Sequence, residues 1–189
     1  MITDRKSYKE YVAADLSVAY VPKNVFKRFL KTLAYNEQCL AYSYVHRLRK
    51  TEYYLNTGHK LLYHLSHFLL NRLGYKYGIR IAPNKTGKGL NIIHLAGGGG
   101  CILNCLSIGD YCRVQSGVVI GNVGDDEHRP TIGNHVGFGL GCKVYGKITI
   151  GDNVSILPNA VVTHDVPSNT IVGGIPARII KYKEISQTD

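Results

Sequence analysis

The chain has 189 residues, 44% of them apolar, and a net charge of +10, enough to bury one core with an appendage. Its five cysteines lack paired-ligand spacing and its first stretch, MITDRKSYKEY, is polar, which argues against a disulfide framework, a cysteine metal site and a secretory leader. No apolar run approaches the ~20 residues that span a bilayer, so a cytoplasmic protein is expected.

The charge is uneven. Residues 1–78 hold 13 of the 23 Lys and Arg and 11 of the 14 Tyr, against 5 of the 13 acids. Such a segment can meet an anionic partner, a membrane surface included, or be a solvated basic face over a tyrosine-rich packing surface. No nucleic-acid partner is expected.

Helices are predicted through this segment. The first runs over 3–20, capped by Thr3 or Asp4, with Tyr8, Val12, Leu16 and Ala19 on one face. Pro22 opens a second, striped by Phe26, Phe29, Leu30 and Leu33. Asn36 caps a third that reaches about Asn56 through Leu40, Tyr44, Val45 and Leu48. After Gly58 a fourth carries Leu61, Leu62, Leu65, Phe68 and Leu69, with Gly74 as its C′ residue. Its apolar stripe suits docking on a helix or subunit, or peripheral contact with a membrane.

From residue 90 to 167 an apolar residue returns every six positions. The blocks read LNIIHL, AGGGGC, ILNCLS, IGDYCR, VQSGVV, IGNVGD, DEHRPT, IGNHVG, FGLGCK, VYGKIT, IGDNVS, ILPNAV and VTHDVP. Only DEHRPT starts with a polar residue. A fixed period of this kind marks stacked coils, and neither a 3.6- nor a 2-residue period fits it. Each block is one flat face of a triangular coil, with the first position turned inwards and a small residue at the fifth (Cys112, Val118, Cys142, Val154, Ala160). Gly and Asn supply positive φ angles at the corners. The fold class is mainly β, with a helical region 1–78, a solenoid 79–181 interrupted by an acidic loop 122–131, and a tail 182–189.

Four histidines lie in the solenoid. His94 precedes the run of glycines 97–100, whose bare backbone can approach a ligand and donate N–H groups to an oxyanion. His128 sits among Asp125, Asp126 and Glu127, and His135 and His164 lie inside their blocks. A histidine suits general-base work because its pKa lies near neutrality. A metal bound by His94, His128 and His135 is the competing reading of these residues; no metal is expected.

The blocks IGDYCR-VQSGVV, IGNHVG-FGLGCK and IGDNVS-ILPNAV, with VTHDVPSNTIVGGIPARII, resemble the hexapeptide-repeat acyltransferases over about residues 79–181. The resemblance implies a left-handed parallel β-helix, a homotrimer, and acetyl-CoA as co-substrate. It is nearest to the serine acetyltransferases and the related O-acetyltransferases of surface-polysaccharide synthesis. GKGLNIIH resembles the segment of the catalytic histidine, which makes His94 the general base, and DDEHRP resembles the loop that brings a second histidine, His128, to the acceptor. The resemblance also implies acceptor contacts at Asp125, Asp126 and Glu127. It places acetyl-CoA near Gly139, Leu140, Pro158, Thr163, His164, Arg178 and Lys181, the last two suited to a phosphate. Two positions depart from serine acetyltransferases. Ile93 replaces an aspartate before the base, and Arg80 stands in GIRIAP where a second aspartate is implied. Because an unpaired ammonium is costly to bury, the expected acceptor is a sugar hydroxyl in polysaccharide synthesis, with serine as the alternative and a metal-dependent hydratase less favoured.

Overall fold

The computed structural model describes residues 1–95, 99–122, 124 and 126–184. Gly97, Gly98, Asp125, the Asp126 side chain and residues 185–189 lie outside that description.

Four helices come first: α1 (Arg5–Val18), α2 (Val25–Leu33), α3 (Glu37–Asn56) and α4 (Lys60–Tyr77). Asp4 caps α1, its carboxylate accepting the Ser7 N–H at 2.7 Å, and Asn36 caps α3 by accepting the Cys39 N–H. Two boundaries differ from those expected. Asn24, not Pro22, starts α2, its side chain accepting from the Lys27 N–H. Helix α4 runs through Gly74 and ends on Gly78, whose φ of +69° closes it in the left-handed conformation. Gly74 serves close approach instead, since a Cβ there would lie 2.6 Å from the Ile79 carbonyl oxygen. The apolar stripes face outwards: Phe26, Phe29, Leu30 and Leu33 of α2 and Leu61, Leu62, Leu65 and Phe68 of α4 are exposed, while α4 turns Ser66, Leu70 and Gly74 inwards. No helix among the described residues is long and apolar enough to cross a membrane.

Helix α3 is the hub. Its buried face includes Tyr44, Val45 and Leu48, as its apolar pattern predicts, and also Arg49 and Glu52. Arg49 Nε donates to Asp15 at 2.8 Å and Nη1 to Glu52 at 3.1 Å. Nη1 also donates to the carbonyl and hydroxyl of Thr86, and Nη2 to the Gly87 carbonyl. The Tyr11 ring lies 5.0 Å from the guanidinium carbon. Asp15 in turn accepts the Leu90 N–H and Glu52 the Asn84 N–H. One side chain therefore ties α1 and α3 to residues 84–90 of the first coil. Burial raises the Glu52 carboxyl above its ordinary value despite the pull of Arg49.

His46 on α3 faces Tyr8, 3.3 Å from its hydroxyl, and stacks on Tyr42. Burial, then the cations Lys50, Arg47 and Arg28, lowers its pKa. The folded protein thus binds this proton less tightly than the unfolded chain. The neutral form's contribution is complete above the ordinary histidine pKa and is lost as pH falls through the depressed one. A thermal melt at pH 5 is expected below that at pH 7.5, with a smaller difference in His46→Gln; equal differences would refute the assignment.

The solenoid follows. Its first turn holds β1 (Ile79–Ile81) and β2 (Asn91–Ile93), the second β3 (Cys101–Leu103), β4 (Ser107–Ile108) and β5 (Arg113–Gln115). The third holds β6 (Val118–Gly121), β7 (Thr131–Ile132) and β8 (Gly137–Phe138), and the fourth β9 (Lys143–Tyr145), β10 (Thr149–Ile150) and β11 (Ser155–Ile156). Then come β12 (Val161–Val162), β13 (Thr170–Gly174) and β14 (Ala177–Tyr182). Strands one turn apart pair in parallel and form three faces: β1-β3-β6-β9-β12, β4-β7-β10, and β2-β5-β8-β11-β13, closed by antiparallel β14. This is the expected parallel β-helix preceded by helices.

Inside run Ile108, Val114, Ile120, Ile132, Phe138, Val144, Ile150, Ile156 and Val162, with Cys112, Val118, Cys142, Val154 and Ala160 at the small positions. All five cysteines are free and buried, and burial raises the thiol pKa of Cys101 and Cys142 to about 12. Ile102 is the exception to the period. The longer turn after β2 shifts the phase, so Cys101 and Leu103 point in and Ile102 out. One corner is built by Tyr111, His135, Asn153 and Asn169, all with φ between +56° and +59°. His135 is therefore an exposed corner residue, its ring stacked on Tyr111 at 5.4 Å. The IGD and IGN blocks have a further role. The side chain of Asp110 accepts the Lys88 N–H, Asn134 that of Asp110, and Asp152 that of Asn134, so each turn caps backbone of the turn before it.

Candidate active site

His94 ends the first turn. Ile93 is in register with Gln115, so His94 lies level with Ser116 at the corner between the third and first faces. Its φ is +62°, and the Gly99 N–H donates to the Ser116 hydroxyl at 3.1 Å. Gly100 then packs against Gly78, and the Cys101 N–H donates to the Gly78 carbonyl. The His94 side chain is exposed.

His128 stands at the opposite edge of the first face. After β6 the chain leaves the coil at Asn122, whose side chain accepts a hydrogen bond from Asn104 one turn below, and rejoins it at β7. Asp126–His128 form a single 3₁₀ turn within this insertion, and Glu127 and His128 are exposed. The two predicted histidines thus border one face from its two sides. His135 belongs to another corner. Among the described residues no three His, Cys, Asp or Glu side chains gather as a metal site requires.

The residues expected to meet acetyl-CoA fall into two groups. Leu140 and Pro158 follow Ser116 along the His94 corner, both exposed. The Leu140 N–H donates to the Gln115 side chain at 2.9 Å, which fixes this corner's backbone. Gly139 stays bare because a Cβ would meet the Pro158 nitrogen at 2.6 Å. Its row continues through Leu157 and Gly173 to Arg178, paired with Gly173 across β13 and β14. Lys181 lies farther along β14, opposite Ile171. Thr163 and His164 are elsewhere, at the far edge of the first face, where the hydroxyl and Nδ1 stand 3.0 Å apart.

Sequence reasoning missed the roles of Gln115 and Ser116, since a polar pair inside VQSGVV reads as ordinary coil surface. It also treated Arg80 only as a departure. Arg80 opens into a groove of about 510 Å³ between α4 and β1.

Comparison with known proteins places this geometry. The serine acetyltransferase of Helicobacter pylori is 37% identical over 144 residues, covering 75% of this chain and 78% of that protein. That of Synechococcus elongatus is 41% identical over 124 residues, 64% of this chain, which spans about half (47%) of that relative's length. A structure of Neisseria gonorrhoeae serine acetyltransferase in complex with serine superposes with a TM-score of 0.71 at 25% identity, covering 94% of this chain and 70% of that one. The Brucella abortus enzyme in complex with coenzyme A shares the fold, with a TM-score of 0.72 at 22% identity over 96% of this chain and 71% of that one. No protein-family model matches the chain. These relatives overturn the expectation of a sugar acceptor in polysaccharide synthesis: with Ile93 and Arg80 in place of the two aspartates, the chain is still 37% identical to a serine acetyltransferase over three quarters of its length. The chain belongs to the serine acetyltransferase family of hexapeptide-repeat acyltransferases.

Proposed function

We propose that the chain transfers the acetyl group of acetyl-CoA to the hydroxyl of L-serine, giving O-acetylserine and free CoA. The observation that carries this reading is the 37% identity to a serine acetyltransferase across three quarters of both chains. The serine-bound neighbour of the same fold agrees with it.

In this reaction His94 removes the hydroxyl proton as the serine oxygen attacks the thioester carbonyl. The tetrahedral adduct collapses by breaking the carbon–sulfur bond, and the proton leaves with the CoA sulfur. Backbone N–H groups near the His94 corner stabilise the developing oxyanion. Acetyl-CoA lies along Gly139, Leu140 and Pro158, with Arg178 and Lys181 toward its phosphates, and Thr163 and His164 contribute from the face's other edge. His128 and the acidic residues Asp125, Asp126 and Glu127 orient the acceptor, the carboxylates offering the ammonium the partner that Ile93 does not. Corners of different copies meet in a cyclic homotrimer, which closes an assembly of this shape.

The test is incubation with acetyl-CoA and L-serine, with CoA release followed by a thiol reagent and the product by mass. Serine-dependent thiol release with O-acetylserine as product is expected. CoA release that serine does not accelerate would refute the reading.

A further inference from the structure

We propose that the outward faces of α2 and α4 dock the protein peripherally on a bilayer of anionic phospholipid. A helix in water normally turns its apolar stripe to a core, and α2 does the reverse. Its stripe of Val25, Phe26, Phe29, Leu30 and Leu33 covers roughly 140° of the helix circumference, and all five are between 47% and 71% exposed. What α2 turns towards α3 is polar. None of its residues is buried, only Arg28 and Thr32 are half-buried, and the Arg28 guanidinium lies 4.9 Å from the Tyr42 ring. A nine-residue helix is marginal on its own propensity, so burial of this stripe against another surface is what stabilises it. Helix α4 adds a second outward row. Leu61, Leu65 and Phe68, four and three residues apart, are exposed opposite the inward Ser66, Leu70 and Gly74. The two helices meet at their C-terminal ends, where the ring of Tyr35, just past α2, lies 4.8 Å from the Lys76 ammonium of α4.

Charge selects what covers these faces. No Asp or Glu occurs in residues 16–36 or 53–109, so neither helix carries a carboxylate. Lys27 and Lys31 border the α2 stripe, both exposed. Arg72 continues the α4 row, its guanidinium 6.0 Å from the Phe68 ring. The same helices of a second copy would set cations against cations across the contact. An anionic bilayer instead offers counter-charge in its headgroups and an apolar layer just beneath them. A face of Phe and Leu flanked by Lys and Arg is the pattern of a helix that lies in a membrane interface. Length agrees, since nine residues extend about 14 Å, too short to cross a ~30 Å hydrocarbon layer and suited to lying along it.

The experiment is cosedimentation of the full chain with vesicles of phosphatidylcholine alone and of phosphatidylcholine mixed equally with phosphatidylglycerol. Binding to the anionic vesicles is expected, weakening as sodium chloride is raised, with little binding to the neutral ones. The double substitution Phe29→Gln with Leu33→Gln removes two exposed apolar side chains, so it should leave the melting temperature in place and weaken vesicle binding by roughly tenfold or more. Lys27→Gln with Lys31→Gln should weaken binding to the anionic vesicles by roughly thirtyfold. Equal binding to both kinds of vesicle, or none to the anionic ones, would overturn the proposal. So would wild-type binding by the Phe29→Gln, Leu33→Gln variant. Sedimentation velocity without lipid tests the other occupant: the mass of that variant should equal the wild type's, and a smaller mass would make the α2 stripe a contact between copies and refute the membrane assignment.

Discussion

Replacing His94 by asparagine is expected to lower kcat with serine by about two to four orders of magnitude, the usual contribution of a positioned general base. Asparagine is the informative substitution, because position 94 has a φ of +62° and asparagine enters that region more readily than alanine. The fold should be indifferent to the change. The side chain is exposed, and the contacts that hold the corner belong to Gly78, Gly99, Gly100 and Ser116. Calorimetric affinity for CoA and the melting temperature should therefore match the wild type. A variant that keeps more than a tenth of the turnover would remove His94 from the mechanism.

Arg49→Met is expected to destabilise the protein by about 3–5 kcal/mol, the cost of breaking a buried pair from one side. Methionine nearly fills the volume, so the loss is chiefly electrostatic. Asp15 and Glu52 would remain buried, at 1% and 2% exposure, without the guanidinium that both now share. Their remaining partners are the N–H groups of Leu90 and Asn84, which cannot neutralise two carboxylates. Since these are residues of the first coil, the helices should loosen from the solenoid before the solenoid unfolds. A denaturant titration that reads the helices and the coil separately measures this. A midpoint that corresponds to a loss under 1 kcal/mol would refute the clamp.

The clamp also marks where linear reading fails. RLRKTE in a segment of strong positive charge reads as solvated surface, and an Arg49–Glu52 pair three apart on a helix is ordinary there. Asp15 lies far away in sequence, so nothing local announces that the three meet in the interior. The exposed stripes of α2 and α4 are the converse case. Their periodicity identifies helices correctly but does not say which face turns inwards; in α4 the choice is made by Gly74, which lets the helix close on β1. Arg80 was legible as a departure from a family pattern, and its groove was not, because α4 supplies the opposite wall.

The sequence by itself determined the solenoid, its corners and its one irregular block. A six-residue period buries one side chain per flat face only when the backbone coils, and glycine or asparagine at fixed intervals supplies the turns. His94 and His128 were legible through the resemblance of GKGLNIIH and DDEHRP to segments of the family, while the period itself marked only DEHRPT as irregular. Tertiary structure decided the rest: that both histidines border one face, that α3 keeps an arginine inside, and that Arg80 opens into a groove between α4 and β1. Those properties depend on contacts between distant segments. A charged side chain's environment is set by what packs across from it, and its neighbours along the chain do not record that.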